Sequence, residues 1–232
     1  MSRKGWLIGG AVVVVVAIVV ALIVVSVSGG DSSSTEADAS NVQGVEKVVA
    51  MTAGIPQAGF AIGKPGAPVT VREYIDPQCP VCKTASTKTI PAIIKGPVKD
   101  GTAKLIIEPL TFIGPDSSDA ALAIAAAAKQ DRAFTFTEIL YANQGEENTG
   151  WVTDELLTAF ANKTPGLDVA AWDGARKDAA TGDVLFAVSD RAQAAGANST
   201  PTFVIKGPGG SEVITGAVEP QVVIDAINKV AS

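Results

Sequence analysis

The distribution of apolar and polar positions divides the chain into three unequal parts. From Trp6 to Val27 there are 22 consecutive residues without a charge, almost all Val, Ile, Ala or Leu. At 1.5 Å per residue such a helix reaches about 33 Å, enough for a hydrocarbon core of about 30 Å. The run has no polar face, which argues against a buried core helix. It predicts a transmembrane anchor, with Trp6 at one interface and Arg3 and Lys4 holding the N-terminus on the cytoplasmic side. The competing reading is a cleaved signal peptide, for which Ser26-Val27-Ser28 offers small residues at suitable spacing. The run exceeds the usual 7–15 residues of a signal-peptide apolar region, which favours a retained anchor. Both readings place the rest of the chain outside the cytoplasm. A polar, small-residue stretch follows, and residues 29–41 are expected to be a flexible tether with nothing to bury. Residues 1–28 are thus expected to form a cytoplasmic stub and anchor, and residues 42–232 one folded domain.

Within that domain the periodicity alternates between strand and helix. Residues 42–52 place Val42, Val45, Val48, Val49 and Met51 near one face of a short helix. Two turn-rich loops, 54–57 and 63–68, flank a possible short strand at 60–62. Residues 69–75 are β-branched and aromatic and predict a strand. It runs into Asp76-Pro77-Gln78-Cys79-Pro80-Val81-Cys82, and the chain then reads as helix to about residue 94. A second strand is expected at 104–108, closed by Pro109. Helices follow at 119–129, capped by Ser118, and at 132–143 and 153–162. Two more are expected at 168–180 and 181–195, the last ended by Gly196. Strand character returns at 202–206 and 212–215, and a final helix starts on Pro220. The order β–α–β, several helices, β–β–α predicts an α/β domain with a helical insertion, about residues 116–196, between its second and third core strands.

Charge and composition narrow the chemistry. Beyond Gly30 the chain carries 16 basic and 24 acidic residues, a net charge of −8. An acidic, aromatic-poor domain is a poor fit to nucleic acid, whose phosphates require clustered Lys and Arg. The chain contains no histidine. That excludes Ser–His–Asp and Cys–His catalysis and His-ligated zinc or haem.

Cys79 and Cys82 are the only two cysteines. Random placement would give this spacing on the order of one time in a hundred. As a staple the pair closes too small a loop to constrain the unfolded chain much. As a metal site it lacks two of four ligands, so no metal or other cofactor is expected. As a redox pair it fits. A strand end delivers Cys79 to the first turn of a helix, where free N–H groups and the dipole stabilise a thiolate.

At these residues the chain resembles the DsbA-like branch of the thioredoxin superfamily. The resemblance rests on Cys79-Pro80-Val81-Cys82 after a strand and on residues 63–74 leading up to it. It also rests on Leu140-Tyr141-Ala142-Asn143-Gln144 and on 196–204, with Thr200-Pro201-Thr202-Phe203 about 120 residues after the first cysteine. It implies a thioredoxin-like fold and thiol:disulfide exchange with exported proteins. It implies a cis Pro201 against the CxxC, and a Thr200 backbone that binds substrate alongside Pro80 and Val81. Glu73 matches the family's buried acid, which moves protons on and off the second cysteine; Asp76 is an alternative for that task, and an edge-strand surface carboxylate is the plain alternative for Glu73. The family also implies a quinone-linked membrane oxidase that recycles the pair. Two departures stand out. Val81 occupies a position where many relatives carry His, which implies a couple less oxidising than the roughly −120 mV of DsbA. Phe134 and Thr137 stand where relatives often have Trp and His. Phe134, Phe136 and the Ala125–Ala128 run are expected to be packing. The alternatives are a reductase or isomerase on the same fold, and a non-enzymatic peptide-binding module.

Overall fold

The computed structural model describes residues 40–232. The expected anchor at 6–27 and most of the tether lie outside the described residues, and no described helix is long and apolar enough to cross a membrane. Six strands form one sheet in the order β1-β2-β4-β3-β5-β6. Its centre is β3 (Val69–Ile75), parallel to β4 (Ala103–Pro109) and antiparallel to β5 (Thr202–Gly207). Strand β6 (Gly210–Thr215) extends one edge. On the other edge β1 (Gln57–Ala58) and β2 (Ala61–Ile62) form a small hairpin against β4. The short strand expected at 60–62 is therefore β2. Its partner β1 was hidden in a stretch that reads as turn.

The helices are α1 (Val45–Thr52), α2 (Pro80–Lys88) and α3 (Ile90–Ile93), the last continuing into a π-turn over Ile94–Val98. The insertion consists of α4 (Pro115–Ala128), α5 (Ala133–Ala142), α6 (Asp154–Lys163), α7 (Val169–Arg176) and α8 (Ala179–Ala194). Helix α9 (Pro220–Ala231) closes the chain and packs on β5. The architecture is the expected thioredoxin-like α/β fold with a helical insertion between the second and third core strands.

Local chemistry explains the boundaries that differ from expectation. The helix read to residue 94 breaks at Thr89, because Pro91 supplies no N–H to the preceding turn; at this junction the Thr89 hydroxyl donates to the Val218 carbonyl at 2.7 Å. Helix α4 starts at Pro115, not at a Ser118 cap. Proline already has a helical φ and wastes no donor at a first position. Thr153, Asp168 and Asp178 cap α6, α7 and α8 with side-chain oxygens, as short polar residues at helix starts do. Gly196, at φ 70°, follows α8.

Alternation along β3 sorts its residues between two apolar groups. Val69, Val71 and Ile75 join the main core, with Ile90, Ile93, Leu105, Ile107, Phe134, Phe203 and Trp172. Tyr74 points to the opposite face and packs with Leu110, Val188 and Ala192. Glu73 falls in register with Val71 and Ile75, so it enters the main core. On the Tyr74 face, Glu108 of β4 is buried and pairs with Arg72 and Arg191, tying α8 to the sheet.

Candidate active site

Strand β3 delivers residues 76–79 to the N-terminus of α2. Cys79 is the N-cap, with extended backbone (φ −69°, ψ 118°) and Pro80 beginning the helix. Its N–H donates to the Asp76 carbonyl at 2.9 Å, and its own carbonyl accepts from Lys83 N at 3.1 Å. The Cys79 sulfur lies 3.5 Å from the carbonyl oxygen of Thr200. The Thr200–Pro201 peptide is cis. Two segments 121 residues apart thus meet at one sulfur. Val81 is 44% exposed and Pro80 is exposed, so both stand on the rim.

Both cysteines are free and buried, yet their surroundings differ. The Cys79 thiol is lowered to about 6, chiefly by a hydrogen bond from Cys82. Burial opposes this, and the Thr200 side chain and the backbone N–H groups of Cys82 and Val81 reinforce it. The helix N-terminus therefore does what its unpaired donors are suited to do. The Cys82 thiol is pushed well up, by burial first and then by Cys79 and Glu73. One sulfur is a nucleophile at neutral pH and the other holds its proton. Alkylation of the reduced protein should accordingly show one fast-reacting thiol whose rate rises with pH through an inflection near 6. Mass-spectrometric mapping of iodoacetamide adducts between pH 4 and 9 tests this; an inflection above 8 would contradict the thiolate assignment.

A hydrogen-bond mesh from the insertion holds the loop. The Tyr141 hydroxyl donates to the Asp76 carbonyl at 3.0 Å. The Gln144 amide donates to the carbonyls of Pro77 and Cys79 at 2.8 and 3.1 Å, and Lys83 Nζ donates back to the Gln144 carbonyl at 3.0 Å. Gln78 donates to Ser117 Oγ at 3.0 Å and accepts from Asn148 N at 2.8 Å. Tyr141 and Gln144 carry part of the family resemblance, but nothing in the sequence shows what they touch.

Asp76 and Glu73, the two candidate acids, have opposite environments. Asp76 is fully buried, and both its oxygens are occupied. Oδ1 accepts from Gln78 N at 2.8 Å and Ser117 Oγ at 2.7 Å, and Oδ2 accepts from Phe112 N and Ile113 N at 2.7 and 3.1 Å. A carboxylate has about four lone-pair sites. All four of Asp76 are spent on loop geometry, which leaves none facing a cysteine proton. Glu73 is 3% exposed on the central strand of the sheet, which overturns the edge-strand surface reading. Burial raises its carboxyl well above the usual range, and the nearby Glu138 carboxyl raises it further. Glu138, on α5, carries no sequence signal beyond being an acid in an apolar helix.

No metal-ligand cluster of Cys, Asp and Glu exists among the described residues. Phe134 and Phe136 are fully buried, and Phe136 packs edge-on to Phe160 and against Trp172; they are core, as are Ala125–Ala128.

A strand–CxxC–helix unit facing a cis-proline loop is the arrangement of thioredoxin-type exchange proteins, and comparison with known proteins agrees. The thioredoxin family profile matches residues 57–222. The probable disulfide bond formation protein D of Bacillus cereus is 32% identical over 153 residues, 63% of this chain and 69% of that protein. Among solved structures, oxidised BdbD of Bacillus subtilis matches with a TM-score of 0.67 at 27% identity, covering 76% of this chain and 97% of that one. DsbA of Chlamydia trachomatis shares the fold, with a TM-score of 0.64 at 23% identity over 73% of this chain and 90% of that one. The chain belongs to the thioredoxin family. Within it, the chain is a DsbA-like thiol:disulfide oxidoreductase.

Proposed function

We propose that the protein works outside the cytoplasm as an oxidant of exported protein thiols, tethered to the membrane through residues 6–27 with its N-terminus inside. Residues 29–41 act as the tether and 42–232 as the catalytic domain. The charge-free 22-residue run behind Arg3 and Lys4 supports the anchor. The observation that carries the direction is the thiolate at Cys79: a stabilised thiolate favours the reduced pair and makes its disulfide an oxidant.

In the oxidised enzyme a substrate thiolate attacks the Cys79 sulfur. The Cys79–Cys82 bond breaks, and a mixed disulfide forms between substrate and Cys79. The electron pair leaves on Cys82, which takes a proton because its buried site disfavours the charge. Glu73, neutral in the core beneath, donates that proton. A second substrate thiolate then attacks the substrate sulfur, releasing the new substrate disulfide and the Cys79 thiolate. The substrate loses two electrons and the pair gains them. Pro80, Val81, Thr200 and Pro201 form the rim on which the substrate segment lies. A membrane oxidase reoxidises the pair.

A Cys79 thiol near 6 lies between those of DsbA, about 3.5, and thioredoxin, about 7. The apolar Val81 adds no charge to stabilise it further. The reduction potential is therefore expected between about −120 and about −270 mV. Equilibration with glutathione buffers measures it; a value at or below the thioredoxin limit would assign the protein to reduction instead.

A further inference from the structure

Among the described residues, Gln144 is the one side chain that hydrogen-bonds to the backbone of the nucleophile. Its amide donates to the Cys79 carbonyl at 3.1 Å and to the Pro77 carbonyl at 2.8 Å, so both its N–H groups are spent on the segment that ends in the reactive sulfur. The residue is 8% exposed. Its own backbone carbonyl accepts from Lys83 Nζ at 3.0 Å, and Lys83 N donates in turn to the Cys79 carbonyl at 3.1 Å. A ring of hydrogen bonds thus closes through Cys79, Gln144 and Lys83. We propose that Gln144 is a positioning residue for Cys79: it fixes the backbone of this N-cap residue and thereby keeps the sulfur at the start of α2, opposite the Thr200 carbonyl.

Only one rotatable bond separates the Cys79 backbone from its sulfur, so the sulfur goes where the backbone of residue 79 sends it. The extended φ and ψ of an N-cap residue leave its side chain beside the first N–H groups of the helix, which have no partner within it. The Pro77 carbonyl is buried and has no other donor among the described residues. A buried acceptor stripped of its partner costs desolvation energy, which movement of the loop toward water relieves. Without the amide, the 77–79 segment therefore shifts and carries the sulfur away from the helix start. Gln144 is itself held from both sides. Asn143 before it accepts from Gln43 N at 2.7 Å and donates to the Gln43 and Ile139 carbonyls at 3.0 and 2.7 Å. Gly145 after it lies against Trp151, where a Cβ would come within 2.7 Å of the indole ring. The fork is thus preorganised on the scaffold. It does not act by charge. The groups that act on the Cys79 thiol are Cys82 and Val81 from α2 and Thr200 from the cis-proline loop. Lys83 on α2, Glu73 on β3, Asp76 in the loop and Tyr141 on α5 are not among them.

This inference rests on Cys79 being the nucleophilic thiolate, and the test separates the two. Alkylation of Cys79 by iodoacetamide is followed in the reduced full-length protein from pH 4 to 9, with the adduct assigned by mass spectrometry. The ratio of variant to wild-type rate is taken at each pH. For Gln144→Leu the inflection should rise by about one unit, because the displaced sulfur loses helix donors, and the ratio should climb about tenfold between pH 5 and pH 9. Lys83→Met removes the bond to the Gln144 carbonyl and leaves Lys83 N on Cys79. It should shift the profile the same way by a smaller amount, and it carries the test if Gln144→Leu does not fold. In a Gln144→Leu background, Lys83→Met should shift the inflection no further. A purely structural role lowers Tm and leaves the ratio flat with pH. A flat ratio in both single variants, or a fully additive shift in the double variant, overturns the positioning role while leaving Cys79 intact as nucleophile. A wild-type inflection above 8 overturns the thiolate assignment itself.

Discussion

Cys79→Ser is expected to lose both insulin-disulfide reduction and oxidative refolding of a reduced substrate, falling to the rate of buffer alone. The hydroxyl cannot form the mixed disulfide, and the donors that lower the thiol to about 6 are far too weak to ionise a serine. Cys82→Ser should behave differently. The serine hydroxyl can still donate to the Cys79 sulfur in place of the Cys82 thiol, and the N–H groups of the helix N-terminus remain, so Cys79 still attacks disulfides. The product then lacks its internal resolving thiol, and mixed disulfides accumulate on Cys79. Non-reducing gels with a single-disulfide substrate distinguish the two variants. Residual turnover by Cys79→Ser would contradict the assignment of Cys79 as nucleophile, and cellular function retained by a double Cys-to-Ala variant would mean that the fold serves as a binding module.

Asp76→Ala is expected to cost about 3–5 kcal/mol, because it strands buried donors at the junction of three segments. The four hydrogen bonds to Asp76 come from the active-site loop, the loop after β4 and the first turn of α4. For a domain of this size the corresponding fall in Tm is roughly 6–20 °C. Asp76→Asn replaces one acceptor with a donor facing the donors already there, so it should recover little of the loss. The Cys79 environment should degrade as well, since Asp76 also carries the carbonyl that accepts from Cys79 N. Calorimetry on the reduced protein, with Thr111→Ala as a surface control, checks this. A loss under 1 kcal/mol would show that water replaces the carboxylate without penalty.

These two residues show where sequence reasoning succeeded and where it stopped. Cys79 was legible because its information is local: a strand, a turn, a proline and a second cysteine lie within fourteen residues of one another. The parallel and antiparallel strands were legible for the same reason, since β-branched alternation belongs to each strand alone. Asp76 was not, because a carboxylate in a turn reads alike whether it relays protons or accepts four hydrogen bonds; only the partners at 112, 113 and 117 decide. Glu138 was hidden in an apolar helix, and its hydrogen-bond partner Ser86 is 52 positions away. The hairpin β1–β2 escaped because two-residue strands carry no period.

The mesh from Tyr141 and Gln144 and the carbonyl of Thr200 have a consequence for biogenesis. As the polypeptide emerges N-terminus first, both thiols leave the translocation channel before the long-range partners that will help organise them. Gln144 follows Cys79 by 65 residues and Thr200 by 121. Contacts of such long range are the last and slowest to close. Until then the pair lacks the Thr200 contribution to the Cys79 thiolate and the hydrogen bonds that hold its loop, so the newborn enzyme trades electrons less readily than the finished one.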